Sequence, residues 1–127
     1  MEHRVFVYGS LKRGKHNNDL LRESRFIGER ITQDETWIMR SLGGFPGVLK
    51  KHYGSMSASI SGDLYEVDDN TLKRLDMLES NGSFYKRELV RLREDSEPAW
   101  MYVLLNDRTY GRDMQPFLEG NIFIYRW

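Results

Sequence analysis

The sequence predicts an α+β domain whose strands form a mixed, strongly curved sheet. Three observations carry this. Short runs rich in β-branched and aromatic residues recur along the chain, each closed by glycine or a polar turn. Two segments read as helices, and both are modest. The 127 residues show no repeat, linker or low-complexity tract, so a single domain over 1–127 is expected. So many strands with so few helices do not suit a doubly wound parallel sheet.

The first strand is read over 5–8, where Val5, Phe6, Val7 and Tyr8 are apolar without alternation, the pattern of a strand buried on both faces. Gly9 ends it. A short helix of about two turns follows over 17–23, its start offered Asn17, Asn18 and Asp19 as caps. Strands over 25–28 and 36–39 are joined by a polar turn at 33–35. The glycine-dense stretch 41–48 is expected to be an irregular loop that brings backbone close to a strand or a ligand. The polar stretch 50–59 is expected as a surface loop. A strand over 60–67 carries Gly62 as a bulge or crossing point. Asp68 to Thr71 offer N-caps for a helix over 72–78, which stops at Ser80, Asn81 and Gly82. Strands over 84–92 and 100–105 flank a turn at Glu97 and Pro98, and the apolar tail 121–127 docks as a last strand.

Nineteen basic residues balance nineteen acidic ones, so no long-range field points to nucleic acid or an anionic membrane. The absence of cysteine excludes disulfides, thiolate metal sites and thiol nucleophiles together. His3, His16 and His52 are scattered without metal-ligand spacing, and no serine sits in a nucleophile-elbow pattern. No metal is expected. The apolar run after Arg4 is too short for a signal peptide and nothing approaches a membrane span, so a soluble, cytoplasmic protein is expected.

The turn after the first strand is the first candidate site. Successive backbone N–H groups around Gly9, Ser10 and Leu11 can converge on one concavity, which suits a carboxylate or phosphate. Lys12, Arg13 and Lys15 would add positive potential. A solvated basic turn is the plainer alternative. The segment also matches the phosphate-loop pattern G-x-x-x-x-G-K from Gly9 to Lys15, with His16 where a Mg²⁺-binding hydroxyl belongs. The run 101–105 followed by Asn106 and Asp107 could pose as its Mg²⁺-holding strand. That reading needs a long helix in a parallel sheet, which the sequence does not offer.

Glu79 is the second candidate. Leu72, Leu75 and Glu79 fall at i, i+3 and i+7, so a carboxylate stands where a core leucine is expected. The helix C-terminus disfavours its charge, and burial beside Leu78, Phe84 and Tyr85 would do the same. Both raise a carboxyl pKa, the profile of a general acid or base. A frayed helix end with Glu79 in water is the alternative. Asp63 and Glu66 could pair with Glu79, or lie solvated on their strand. Arg87 could clamp an acid, or pair with Glu88 or Asp76.

Two stretches together resemble the gamma-glutamylcyclotransferase superfamily, most of all its gamma-glutamylamine cyclotransferase branch. One runs from Val5 through Tyr8, Gly9, Ser10, Leu11 and Gly14 to Asn18 and Leu21. The other joins Gly62, Asp63, Leu64, Tyr65, Glu66 and Val67 to Leu72, Leu75, Asp76, Glu79, Ser80, Tyr85, Lys86 and Arg87. Gly43, Gly44, Phe45 and Pro46 resemble the family's proline-containing loop. The likeness covers about 4–50 and 60–105; Ser10 stands where the branch commonly has Thr, and the C-terminal segment does not match.

The resemblance implies a small mixed or antiparallel β-barrel flanked by helices. It implies that Tyr8, Gly9, Ser10 and Leu11 bind substrate and that Glu79 is the catalytic acid/base. The implied reaction cyclises a gamma-glutamyl compound to 5-oxoproline and frees an amine or amino acid, without cofactor or metal. Its partner is then a small gamma-glutamyl molecule. A non-catalytic binding module on the same scaffold and a phosphate-loop nucleotide binder are the alternatives.

Overall fold

The computed structural model describes residues 2–50, 56–106 and 109–127. Asp107, His52 and the middle of the expected 50–59 loop lie outside them. In chain order the elements are β1 (Glu2–Val7), a 3-10 turn (Asn18–Leu21), β2 (Arg25–Ile31), β3 (Trp37–Ser41), β4 (Pro46–Lys50) and β5 (Ser59–Asp68). Then come α1 (Asp69–Leu78), β6 (Tyr85–Val90), β7 (Ala99–Leu104), β8 (Arg112–Asp113), β9 (Phe117–Glu119) and β10 (Ile122–Tyr125).

The long strand β5 organises the larger sheet. It pairs antiparallel with β1, from Glu2 opposite Asp68 to Val7 opposite Asp63. It pairs antiparallel with β2, and β10 joins it in parallel at Ser59 and Ile60. Beyond β1 lie β7, parallel to it, and β6, antiparallel to β7. A smaller sheet has the order β4-β3-β8. The mixed α+β architecture is as expected. The ladder order of the larger sheet runs open from β6 to β9. The chain beyond β2 does meet the chain beyond β6, at an antiparallel bridge of Thr32 with Leu92 flanked by two backbone hydrogen bonds. The sheet therefore curls back on itself, but no continuous ladder closes it into a barrel among the described residues. Among the described residues one α-helix and one 3-10 turn accompany it.

The unalternating 5–8 run has a direct cause. Val5 and Val7 face one core cluster, with Leu21, Leu72, Leu75, Tyr85 and Tyr102, while Phe6 and Tyr8 face a second, with Met39, Ile60, Leu64 and Met101. β1 is buried on both faces. Gly62 is a crossing point: a Cβ there would meet the Val7 carbonyl oxygen and the Phe6 ring. The bulge falls instead in β2, between Phe26 and Gly28.

Several expectations need correction. The helix over 17–23 is one 3-10 turn, and Asn17 makes no side-chain cap. The 41–48 loop is only half irregular, because Pro46 to Lys50 pair with β3. At the end of the expected 50–59 loop, Ala58 bridges to Trp37 and Ser59 opens β5. β8 and β9 had no signal: each is three residues or fewer, and their ladders depend on distant partners.

Candidate functional site

The site lies where β1 and β7, running parallel, both end. At that edge the antiparallel partner β6 begins, with Tyr85 opposite Leu104. Such strand ends leave a crevice that loops can line.

One wall is the turn after β1, which is held from several sides. Asn17 donates from Nδ2 to Ser10 Oγ at 2.9 Å, and its backbone N–H donates to the Ser10 carbonyl. Asn18 Nδ2 donates to the Leu11 carbonyl at 2.8 Å. The Arg13 backbone N–H and Nε both donate to Asp63, which is only 4 % exposed. Lys12 donates to the Trp127 carbonyl at 2.7 Å. The asparagines expected to cap a helix thus staple the turn, and Arg13 and Lys12 are spent on holding it. The amides of Gly9, Ser10 and Leu11 donate to no acceptor among the described residues. Gly9 is required by proximity: a Cβ would stand 2.7 Å from two ring carbons of Pro46.

The opposite wall is the end of α1. Asp68 caps its start, accepting from Thr71 N at 2.7 Å. At the other end Ser80 N–H donates to Met77 O and Asn81 N–H to Asp76 O, with Ser80 left-handed at φ 50°. This is the Schellman closure, with serine where glycine is usual. It stops the helix at Leu78 with Glu79 as its C-terminal cap, on the stripe of Leu72 and Leu75. Glu79 is therefore partly buried and does not fray into water.

Burial alone drives the Glu79 carboxyl up to about 7. Its side chain has no ion-pair or hydrogen-bond partner among the described residues. Three tyrosines face it, and each hydroxyl donates elsewhere. Tyr8 donates to the Tyr102 carbonyl, Tyr85 to the Pro46 carbonyl and Tyr102 to Asp76, each at 2.7 Å. Burial pushes all three phenols above their ordinary range, helped at Tyr102 chiefly by Asp76 and at all three by the Glu79 charge, so they stay neutral donors.

Glu79 and the turn share one hollow. Tyr8, Gly9, Ser10, Leu11 and Glu79 all line an inner cavity of about 40 Å³. Ser10, Phe45, Glu79 and Tyr85 also line an adjoining outer cleft of about 370 Å³. An acid able to carry a proton at neutral pH thus faces a row of unused amide donors. That pairing can serve a reaction that moves a proton while an anionic or carbonyl oxygen is held.

The other candidates are structural. Asp63 is buried on Arg13, and Glu66 pairs with Arg25 at 3.6 Å; neither lines the hollow. Arg87 pairs with Asp76 at 2.7 Å and lies over the Trp100 ring. His3 is bound to Asp69. The phosphate-loop reading fails, because β1 pairs antiparallel with β5 and a single 3-10 turn follows. No cluster of three acidic or histidine ligands occurs among the described residues, and no helix is long and apolar enough to cross a membrane. Sequence reasoning missed Tyr102 and Pro46. Their placement depends on strand register and on the Tyr85 hydroxyl, which no local spacing encodes.

Known proteins resemble this chain in sequence and fold. The family model described as gamma-glutamyl cyclotransferase, AIG2-like, matches residues 5–121. A Vibrio cholerae protein named as a candidate gamma-glutamylcyclotransferase is 35 % identical over 103 residues, covering 81 % of this chain and 83 % of its own. The crystal structure of an AIG2-like protein from Mus musculus superposes with a TM-score of 0.69 at 26 % identity, over 87 % of this chain and 80 % of that one. An uncharacterised Pyrococcus horikoshii protein shares the fold, with a TM-score of 0.72 at 23 % identity over 88 % and 85 % of the two chains. The chain belongs to the gamma-glutamyl cyclotransferase, AIG2-like family.

Proposed function

We propose that the protein is a cofactor-free cyclotransferase that converts a gamma-glutamyl amide to 5-oxoproline and a free amine. The observation that carries this is the partly buried Glu79, without a side-chain partner among the described residues, lining the same cavity as Gly9, Ser10 and Leu11, whose amides likewise donate to no acceptor among them.

The substrate brings its own nucleophile. Its α-nitrogen attacks the γ-carbonyl, forming the ring C–N bond, and the amide C–N bond then breaks. Glu79, ionised, takes a proton from the α-ammonium and gives it to the departing nitrogen; the second proton, shed by the ring nitrogen after attack, follows the same path, so the amine leaves as its ammonium ion and Glu79 ends ionised. The turn amides hold the α-carboxylate or the developing oxyanion, with Tyr8 fixing the start of the turn. Holding the chain bent is the larger contribution, since well-oriented intramolecular reactions reach effective molarities of about 10⁵ M or more. The curled sheet, on this reading, is the family's small barrel, serving to bring the ends of β1 and β7 against the end of α1.

The test is release of 5-oxoproline from gamma-glutamyl amides by wild type and Glu79→Gln. Turnover by wild type and loss of about 10³-fold in the variant support the reading. Undiminished release by Glu79→Gln overturns the role of Glu79. Binding without any release by wild type makes the protein a binding module instead.

A further inference from the structure

We propose that the outer cleft is the subsite for the departing amine and selects an uncharged, apolar group, above all an aromatic one. This rests on the cyclotransferase reading. Glu79 lines both the inner cavity and the outer cleft. With the glutamyl unit held against the turn amides, the bond to be broken lies at Glu79 and the amine side of the substrate projects outward.

What it meets there is chiefly apolar. Phe45, Leu78, Phe84 and Tyr110 wall the cleft. Phe84 is fixed edge-to-face on Tyr85, with ring centroids 5.0 Å apart, so this wall is preformed. Leu78 and Tyr110 are 41 % and 63 % exposed, and they converge on one concavity where isolated surface apolar groups would be scattered. Among the described lining residues Glu79 is the sole carboxylate, and there is no lysine or arginine; the other polar ones are Ser10, His16, Asn17 and Ser80. The Glu79 carboxyl is occupied with the reacting nitrogens. A charged head on the leaving group, such as the α-ammonium and α-carboxylate of a lysine released through its ε-nitrogen, would be desolvated against apolar walls with no lysine, arginine or second carboxylate among the described lining residues to answer it. A ring or branched alkyl group would bury its surface instead.

The experiment measures binding of Nγ-benzylglutamine, Nγ-methylglutamine and gamma-glutamyl-ε-lysine to Glu79→Gln by calorimetry, alongside 5-oxoproline release by wild type. The benzyl compound is expected to bind about tenfold or more tightly than either of the others. Tyr110→Ala in the same background is expected to shrink the benzyl-to-methyl ratio. Equal affinities, a preference for the lysyl compound, or a ratio unmoved by Tyr110→Ala overturns the proposal. Failure of wild type to release 5-oxoproline, with the benzyl preference intact, overturns the cyclotransferase reading while the apolar selectivity of the cleft stands. Release without preference overturns the cleft alone.

Discussion

Two acids stand at the C-terminal end of α1, Asp76 in its last turn and Glu79 as its cap, and their surroundings differ completely. Asp76 accepts from Arg87 Nε and from the Tyr102 hydroxyl, both at 2.7 Å, so its charge is answered and its side chain is fixed. Glu79, three residues later, has no such partner among the described residues, and burial lifts its carboxyl to about 7. The first arrangement ties a helix to two strands. The second leaves a proton carrier facing a cavity. The comparison teaches what separates the structural acid from the chemical one: Asp76 is answered and lies off the hollow, whereas Glu79 is unanswered among the described residues and lines it.

The largest effect that would break this comparison is on rate. Glu79→Gln should lower 5-oxoproline release by about 10³-fold with no loss of urea stability. Asp76→Ala should do the reverse in kind. It leaves the Arg87 charge and Tyr102 hydroxyl without their acceptor and should cost about 2 kcal/mol of unfolding free energy. If Asp76→Ala proves as inactive as Glu79→Gln while fully stable, the division of labour is wrong.

Gly9→Ala probes the facing wall. The added carbon collides with the Pro46 ring, so the turn must move, and overpacking of this kind costs about 1–3 kcal/mol. Substrate binding, followed by calorimetry, should weaken more than unfolding stability falls.

The pH dependence sharpens the same contrast. Glu79 is raised in the folded state from 4.5 to about 7, so folding favours its protonated form. The stability this confers is fully present below pH 4.5 and is lost as pH rises through about 7. Glu79→Gln, which cannot ionise, should therefore gain on wild type as pH rises, from near zero at about pH 4 to on the order of 1–2 kcal/mol at about pH 8. Turnover runs the opposite way, since the ionised form accepts the first proton: kcat/KM should climb with pH through the same interval.

The smallest effect is at Ser80. Its left-handed backbone is one that glycine adopts without strain, so Ser80→Gly should stabilise by about 0.5 kcal/mol in denaturant titrations.

Much of this was legible in the residues themselves. Leu72, Leu75 and Glu79 lie on one helical stripe whatever the tertiary structure, so the odd acid is visible from spacing. The doubly buried β1 shows in the unbroken run of Val5, Phe6, Val7 and Tyr8. What local patterns could not carry was pairing across long separations. Asn17 and Asn18 look like helix caps, yet their amides serve Ser10 and Leu11 because the turn lies closer than a helix start. Asp63 looks like a solvated strand residue, yet Arg13 reaches it from fifty positions away. Pro46 reads as a loop breaker, and only the fold places its ring on Gly9 and its carbonyl on the Tyr85 hydroxyl.

The most direct measurement is a ¹³C NMR titration of the Glu79 side-chain carboxyl in the free wild-type protein, assigned by its absence in Glu79→Gln. The account predicts a midpoint at about 7, well above the carboxyl's ordinary 4.5. A midpoint at the ordinary value would place Glu79 in open solvent and remove the proton carrier on which the proposed chemistry depends.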